Sequence, residues 1–381
     1  MSVQLSEEQA ELRKLVEAVN VHLPNKYQNK TVGPRKQARP RFELYHAAPS
    51  LCSHKVRMVL AEKQIPYVSH DMNIMPAGNF IPNNYRPEYV RLRLRGAPNA
   101  RLVDGYTGES SVTNQGFDPC VVPTLVDHEK ARVVVDSKVI CEYIDHEVES
   151  GEKLIPESLA EQINAQEALI DQAPHVAALY GAHPDDDFRP AGLRVNIAGI
   201  HAKKIRVLKT MIDLVGANDP AVAAAYNAKI KKESAAGEFV IDDEGMRQTH
   251  RAMAEHVTAL EKQLNTHDGD WVCGGQYTMA DIMWTASIWR LQWLGFGNLW
   301  ASTEERRRLN DYLDRAFKRP SFRSAVVKWP GAHAPSPHVA EHKGLGAVSG
   351  FAIHMLRSTN WRHVIWGDPK IKLPPLEKEP A

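Results

Sequence analysis

Cysteine is scarce in this sequence: four in 381 residues, Cys52, Cys120, Cys141 and Cys273, with no short-spaced pair among them. That excludes a zinc ribbon and a disulfide-stapled scaffold, and it fits a reducing, cytoplasmic setting. A dominant charge sign is missing too. Lys and Arg number 47 against 46 Asp and Glu, so nothing favours a nucleic acid or an anionic membrane as partner. No apolar run approaches the ~20 residues that a membrane span needs. The opening MSVQLSEEQAELRKLVEAV is an acidic amphipathic helix pattern, without the basic start and apolar block of a secretory signal. Internal repeats and low-complexity tracts are also lacking.

What is present exceeds one ordinary core: 381 residues with 43% hydrophobic side chains imply two domains plus extensions. Residues 1–40 read as a short helix and a basic, proline-bounded linker, NKTVGPRKQARP. From Phe42 the texture changes. FELYHA alternates like a strand, SHKVRMVLAEKQ has helical spacing and IPYVSHDMNI reads as a second strand, together a βαβ unit. Met75 to Pro119 is loop-like, with one helical turn in RPEYVRLRLR. CVVPTLVDHEKARVVVDSKVICEYIDHEV then predicts an antiparallel hairpin followed by a helix. The sum, βαβ then ββα, is an α+β domain over residues 41–150. Residues 155–330 read as all-helical, with TMADIMWTASIWRLQWLG the most apolar stretch, and 331–381 as a C-terminal extension.

Three patterns carry chemistry. Pro123 sits inside an apolar strand pattern, where proline forfeits a ladder hydrogen bond. Either the Val122–Pro123 bond is cis, turning the preceding amide and carbonyl outward, or the proline is trans on an edge strand. Asp136 and Ser137 open a helix after a strand. They form an anion site on free helix amides or a plain N-cap. In YHAAPSLCSHKVRMVL, Ser50 and Cys52 stand just ahead of a helix, where a thiol is acidified and nucleophilic; a packed, inert cysteine is the alternative. Thr278 and Asp281 have capping-box spacing. Cys120 reads as a strand-end core cysteine, a second redox role being the alternative, and Cys141 and Cys273 as packing residues. His333, His338 and His342 share a loop without the tight spacing of a metal site, so no metal is expected.

Together the S-x-C-S-H-K-V-R turn (Ser50 to Arg57), V-P-T-L (Val122 to Leu125), Asp136–Ser137 and the T-x-x-D cap (Thr278 to Asp281) resemble the glutathione transferase superfamily. The resemblance covers most of residues 42–325. It implies a thioredoxin-like N-terminal domain followed by an all-α domain, usually as a homodimer, with glutathione as co-substrate. By that resemblance Ser50 faces the glutathione thiol, Val122 and Pro123 present backbone to its cysteinyl part, and Asp136 with Ser137 holds its γ-glutamyl end. RPEYVRLRLR, VVPTLVDHE, APHVAALYGAHPD, GIHAKKI and ADIMWTASIWRLQWLG look like bacterial chlorohydroquinone reductive dehalogenases, in which the serine and cysteine of S-x-C-S serve catalysis; that carries over to Ser50 and Cys52. Tyr180, His183 and His201 are candidates to meet a phenolic oxygen of an aromatic substrate. The chain departs from compact transferases by an apparent insertion across 95–119, a 40-residue lead and a tail that caps the site or packs on a dimer partner. Glutathione-dependent β-aryl ether cleavage, zeta-type isomerisation and a non-catalytic binding module remain as alternatives. Products separate them. Cleavage is expected to consume glutathione and release chloride or phenol, isomerisation to leave both unchanged, and a binding module to turn over nothing.

Overall fold

The computed structural model describes residues 6–23, 29–33, 40–108, 115–197, 199–301, 306–333 and, singly, 336, 338, 371, 373 and 374. Helix α1 (Glu7–Val21) starts at a reciprocal cap between Ser6 and Gln9 and buries Leu12, Val16 and Val19, one helical face. Strand β1 (Asn29–Val32) follows, then β2 (Phe42–His46), helix α2 (Leu51–Glu62), β3 (Tyr67–Asp71), α3 (Pro87–Gly96), β4 (Thr124–Asp127), β5 (Arg132–Val135) and α4 (Ser137–Glu147). The five strands form one sheet in the order β1-β3-β2-β4-β5. β2 and β3 are parallel, joined through α2, and the other pairs are antiparallel.

Two elements differ from the sequence expectation. β1 falls inside the stretch that reads as linker. Four residues carry no usable alternation, and the strand forms because β3 offers an open edge, with Asn29 opposite His70 and Val32 opposite Tyr67. α3 is a full helix rather than a single turn. It starts on Pro87, whose missing N–H costs nothing at that position, and ends at Gly96, where a Cβ would come within 2.8 Å of Val135 Cγ1.

The second half is helical: α5 (Ala160–Gln172), α6 (His175–Tyr180), α7 (Ala191–Ile197), α8 (Ile200–Val215), α9 (Pro220–Phe239), α10 (Asp243–Leu264), α11 (Met279–Leu294) and α12 (Arg307–Lys318). Among the described residues this half holds only the isolated bridges His183–Asp186 and Trp271–Gly274 and no named strand. α11 is buried nearly all round, with Trp284 and Trp289 fully enclosed. It packs on α2, which also packs on α4. The α8–α9 hairpin lays Val207, Leu208, Met211 and Tyr226 against Tyr85, Val90 and Cys120 of the first domain. The tail stretch 344–366, His342 and residues 109–114 of the expected insertion lie outside the described residues.

A buried helix end must satisfy its own amides, and at α11 Asp281 does so. Its carboxylate accepts from Thr278 N–H at 2.8 Å, Thr278 Oγ1 at 3.1 Å and Val272 N–H at 2.9 Å. Deeper in, Ser287 Oγ on α11 joins two neutral histidines, 2.9 Å from His175 Nε2 and 2.8 Å from His256 Nε2. Burial drives the His256 pKa down to about 3, with Lys55 adding to it, and pulls His175 well below the ordinary value.

Two outcomes follow for stability. Asp281→Ala leaves three donors unpaired and is expected to cost about 2–5 kcal/mol in denaturant unfolding. For His256 the folded pKa lies below the unfolded one, so its contribution is complete above 6.5 and is lost as pH falls. Between pH 7 and 5 it amounts to about 2 kcal/mol. Buried Glu233 and Asp118 and half-buried Glu43, all held low, act in the same direction, and Asp281, pushed up to about 6, opposes them. Unfolding at pH 7 and 5 should show the loss, smaller in His256→Gln.

Candidate active site

The strand register gathers the motifs at one end of the sheet. Tyr45 on β2 pairs with Thr124 on β4, which pairs with Val135 on β5. The segments just beyond this row are therefore neighbours: the turn after β2 leading to Ser50, the Val122–Pro123 bond before β4, and Asp136–Ser137 after β5. The Val122–Pro123 bond is cis.

Helix α2 begins at Leu51, with Ser50 as its N-cap, so Cys52 lies within the first turn. The sequence pattern placed the start nearer Ser53; the difference puts Cys52 closer to the open amides. Ser50 Oγ accepts from Ser53 N–H at 3.3 Å, and its own proton has no acceptor among the described residues. Of the four cysteines, all free thiols, only Cys52 is not buried. Burial pushes the thiols of Cys120 and Cys141 well up and that of Cys273 to about 12, which suits packing and not reaction.

The turn carrying Ser50 is held by side chains from elsewhere. Arg57 Nη1 donates to Ala47 O at 3.2 Å and Nη2 to Ala48 O at 3.0 Å, while its Nε reaches Ala325 O at 2.8 Å. His54 Nε2 also donates to Ala48 O, at 2.9 Å. Asp71 Oδ1 accepts from Ala48 N–H at 2.8 Å, and Arg290 on α11 donates to Pro49 O at 2.5 Å. Three consecutive carbonyls thus have buried donors, which fixes where α2 points its first turn. Burial lowers the pKa of both arginines to about 10, so both stay charged at neutral pH.

Val122 is buried, and no hydrogen bond of its N–H or C=O exists among the described residues. Asp136 caps α4: Oδ1 accepts from Lys138 N–H at 2.9 Å and Val139 N–H at 3.3 Å, leaving Oδ2 open. Its φ of 74° and ψ of 133° lie outside the ordinary regions for a non-glycine residue, a conformation that costs about 1–3 kcal/mol and clusters at functional sites. The Ser137 hydroxyl, at the first turn of α4, makes no hydrogen bond among the described residues. A row of unfilled donors with one open carboxylate oxygen suits a zwitterionic amino-acid end such as that of glutathione.

The three aromatic-side candidates separate. Tyr180 and His201 meet edge to face at 5.2 Å, but His201 is buried with Nδ1 2.8 Å from Glu233. His183 instead contacts His250, with ring centres 4.9 Å apart, and pairs with Asp185 at 3.7 Å. Among the described residues no His, Cys, Asp and Glu group is placed to hold a metal; His333 is engaged with Trp289 Nε1 at 2.6 Å. The residues that the motif reading overlooked are Arg57, as anchor, and Arg290. A lone arginine inside IMWTASIWRLQWL was a usable signal, because an apolar helix does not bury a charge without cause.

Residues 49–147 match the family model for the glutathione S-transferase N-terminal domain and residues 230–324 that for the C-terminal domain. A 2,5-dichlorohydroquinone reductive dechlorinase of Sphingobium indicum is 44% identical over 302 residues, 79% of this chain and 86% of its own. A tetrachloro-p-hydroquinone reductive dehalogenase of Sphingobium chlorophenolicum is 26% identical over 299 residues, 77% of this chain and 99% of its own. Among solved structures, a β-etherase of Sphingobium sp. strain SYK-6 aligns over 75% of this chain and 98% of its own at 18% identity, with a TM-score of 0.48.

The turn's anchoring is measurable. Ser50→Ala should cost about 1 kcal/mol, as loss of an N-cap does. Arg57→Met, which strips donors from Ala47 O, Ala48 O and Ala325 O, should cost more, about 2–5 kcal/mol. Denaturant unfolding of the two variants gives the ranking.

Proposed function

The chain belongs to the glutathione S-transferase family, and we propose that it uses two molecules of glutathione to remove chloride reductively from a chlorinated hydroquinone. Cys52 carries the proposal: the one cysteine not buried, in the first turn of α2, two residues after a serine whose proton is unengaged. The 44% identical relative, named for dechlorinating 2,5-dichlorohydroquinone, supports the substrate class. Ser50, the Val122 backbone beside Pro123, and Asp136 with Ser137 are the groups that would hold glutathione. A homodimer in a reducing cytoplasm goes with the proposal; four free thiols support the compartment.

The first need is a thiolate. A free thiol has a pKa near 8.5, and lowering it by ~2 units takes ~2.7 kcal/mol of preference for the anion. A hydroxyl donor contributes ~1–2 kcal/mol, and a helix N-terminus ~0.3–2 kcal/mol. Ser50 and the open end of α2 together contribute ~1.3–4 kcal/mol, a range that contains the requirement without a general base.

Overall, one aryl chloride and two thiols become one aryl hydride, one disulfide and HCl. In the first half, Ser50 steadies the thiolate as it adds to the chlorine-bearing carbon of a ring tautomer; a C–S bond forms and chloride leaves with its electron pair. In the second, Cys52 Sγ attacks the thioether sulfur. An S–S bond forms, the C–S pair passes to the ring carbon, and that carbon takes a proton. A second thiol then opens the mixed disulfide and restores Cys52 by exchange.

Cys52→Ser separates the halves. Chloride release should persist while free reduced hydroquinone falls and the glutathionyl adduct accumulates. An unchanged yield of reduced product with no trapped adduct would sink the proposal. Phenol release from a β-aryl ether, with no chloride from any hydroquinone, would support ether cleavage instead. Ser50→Ala should raise the apparent pKa of the bound thiol by roughly 1 unit, read from thiolate absorbance.

A further inference from the structure

Helix α3 turns two side chains, four residues apart, onto the loop that carries the cis Val122–Pro123 bond. They are Tyr89 and Arg93, both fully buried, whereas Arg91 of the same helix is exposed and Arg95 half-buried. Tyr89 Oη donates to Val121 O at 2.8 Å. Arg93 Nη1 donates to Pro123 O at 2.5 Å and to Thr124 Oγ1 at 2.8 Å, and Nη2 donates to Asp118 O at 3.2 Å. Asn84, just ahead of the helix, donates from Nδ2 to Cys120 O at 2.7 Å. From Cys120 to Pro123, then, every carbonyl except that of Val122 meets a buried donor. The Val122 carbonyl and N–H have no partner among the described residues.

The donors are ordered. An arginine only donates, and the tyrosine has one proton, committed to Val121 O. Thr124 Oγ1, 2.9 Å from Tyr89 Oη, therefore accepts from Arg93 and donates to the tyrosine. The chain Arg93–Thr124–Tyr89–Val121 runs in one direction, and each bond polarises the next. The helical domain fixes both ends of the arrangement. Tyr226 on α9 donates to Tyr85 O, just ahead of α3, at 2.7 Å. Lys229 on α9 reaches Asp118 Oδ2 at 2.7 Å, and Asp118 Oδ1 accepts from Cys120 N–H at 2.9 Å. Loops ordinarily run over the surface and leave their carbonyls to water. Here buried polar side chains, unfavourable unless hydrogen-bonded, take the carbonyls on both sides of Val122.

We infer that Asn84, Tyr89 and Arg93 are positioning residues that present the Val122 backbone to the cysteinyl part of glutathione. The inference rests on the proposed function and adds the scaffold behind one of its contacts. A peptide residue offers one N–H and one C=O, and an unpaired backbone residue matches both at once, as at a sheet edge. Such pairing is directional, and a site must be held to within ~0.5 Å to keep it. With the neighbouring carbonyls occupied, that of Val122 is the one left for a peptide. Its position then sets where the glutathione thiol lies relative to Ser50 and Cys52.

The test is calorimetric titration of the full chain with glutathione and with its depsipeptide, in which an ester oxygen replaces the cysteinyl N–H. The wild type should bind the depsipeptide about tenfold more weakly, as the loss of one hydrogen bond implies. Tyr89→Phe removes only the hydroxyl behind Val121 O. It should weaken glutathione about three- to tenfold and the depsipeptide less than about twofold, so that the preference shrinks to about threefold or less. Arg93→Met should remove the preference, and Arg93→Lys, which keeps one donor, should restore part of it. His256→Gln, destabilised elsewhere in the fold, should keep it whole. If the arginine variants do not fold, Tyr89→Phe decides. A preference unchanged in Tyr89→Phe would overturn the inference. Equal losses for both ligands would do the same, since a merely structural residue does not tell them apart. A wild type that binds both ligands equally overturns this inference alone. A wild type that binds neither overturns the proposed function as well.

Discussion

The molecule is organised around the first turn of α2. The helix is buried along nearly its whole length between the sheet, α4 and α11, yet its leading turn keeps Cys52 only half-buried. Burial and openness are reconciled by pinning the turn in front of it. The carbonyls of Ala47, Ala48 and Pro49 each meet a buried donor, from Arg57, His54 or Arg290. These bonds come from α2 itself and from the helical domain, so neither domain alone sets the direction in which Ser50 and Cys52 face. The cap at Asp281 has the same purpose at one remove: it fixes the start of α11 and hence the depth at which Arg290 arrives.

Charge in the interior is arranged unequally, and the inequality tells structure from function. Most buried ions are paired: Lys63 with Asp145 at 2.9 Å, Lys229 with Asp118 at 2.7 Å, Lys204 with Glu233. Such pairs contribute little net stability once desolvation is counted, but breaking one is costly. Lys229 with Asp118 holds the α8–α9 hairpin against the loop that leads to Val122, and Lys204 with Glu233 joins the hairpin's two helices. Among the groups left without a hydrogen-bond partner are the Ser50 proton, the Val122 backbone and the Ser137 hydroxyl. They lie toward the same end of the sheet, and it is there that a ligand would complete the hydrogen bonding.

Much of this was legible in the sequence. Alternation and helical spacing located β2, α2, β3, the β4–β5 hairpin and the helical half, because each is determined by which of its own faces is buried. Proline in an apolar strand pointed to Val122–Pro123. The S-x-C-S turn singled out Ser50 and Cys52, and T-x-x-D the α11 cap, since caps and turns are local. The strand β1 was not legible, because its pairing depends on a free edge some forty residues away in sequence. Nor was the division among Tyr180, His183 and His201, similar in local pattern but differing in what packs behind them.

By itself, then, the sequence determined the element types, the order of the two domains and the cysteine that stands at the start of α2. Tertiary structure alone decided which side chains hold the carbonyls of the turn before α2, which histidine is sequestered by Glu233, and which arginine reaches Pro49 O. The physical reason is range. Propensity, capping and amphipathicity act over one or two turns of chain, whereas desolvation and unmet hydrogen bonds depend on everything that surrounds a group. Arg290 could be seen in the sequence as a lone arginine in an apolar stretch, but the carbonyl it meets, Pro49 O, is a property of the space around it.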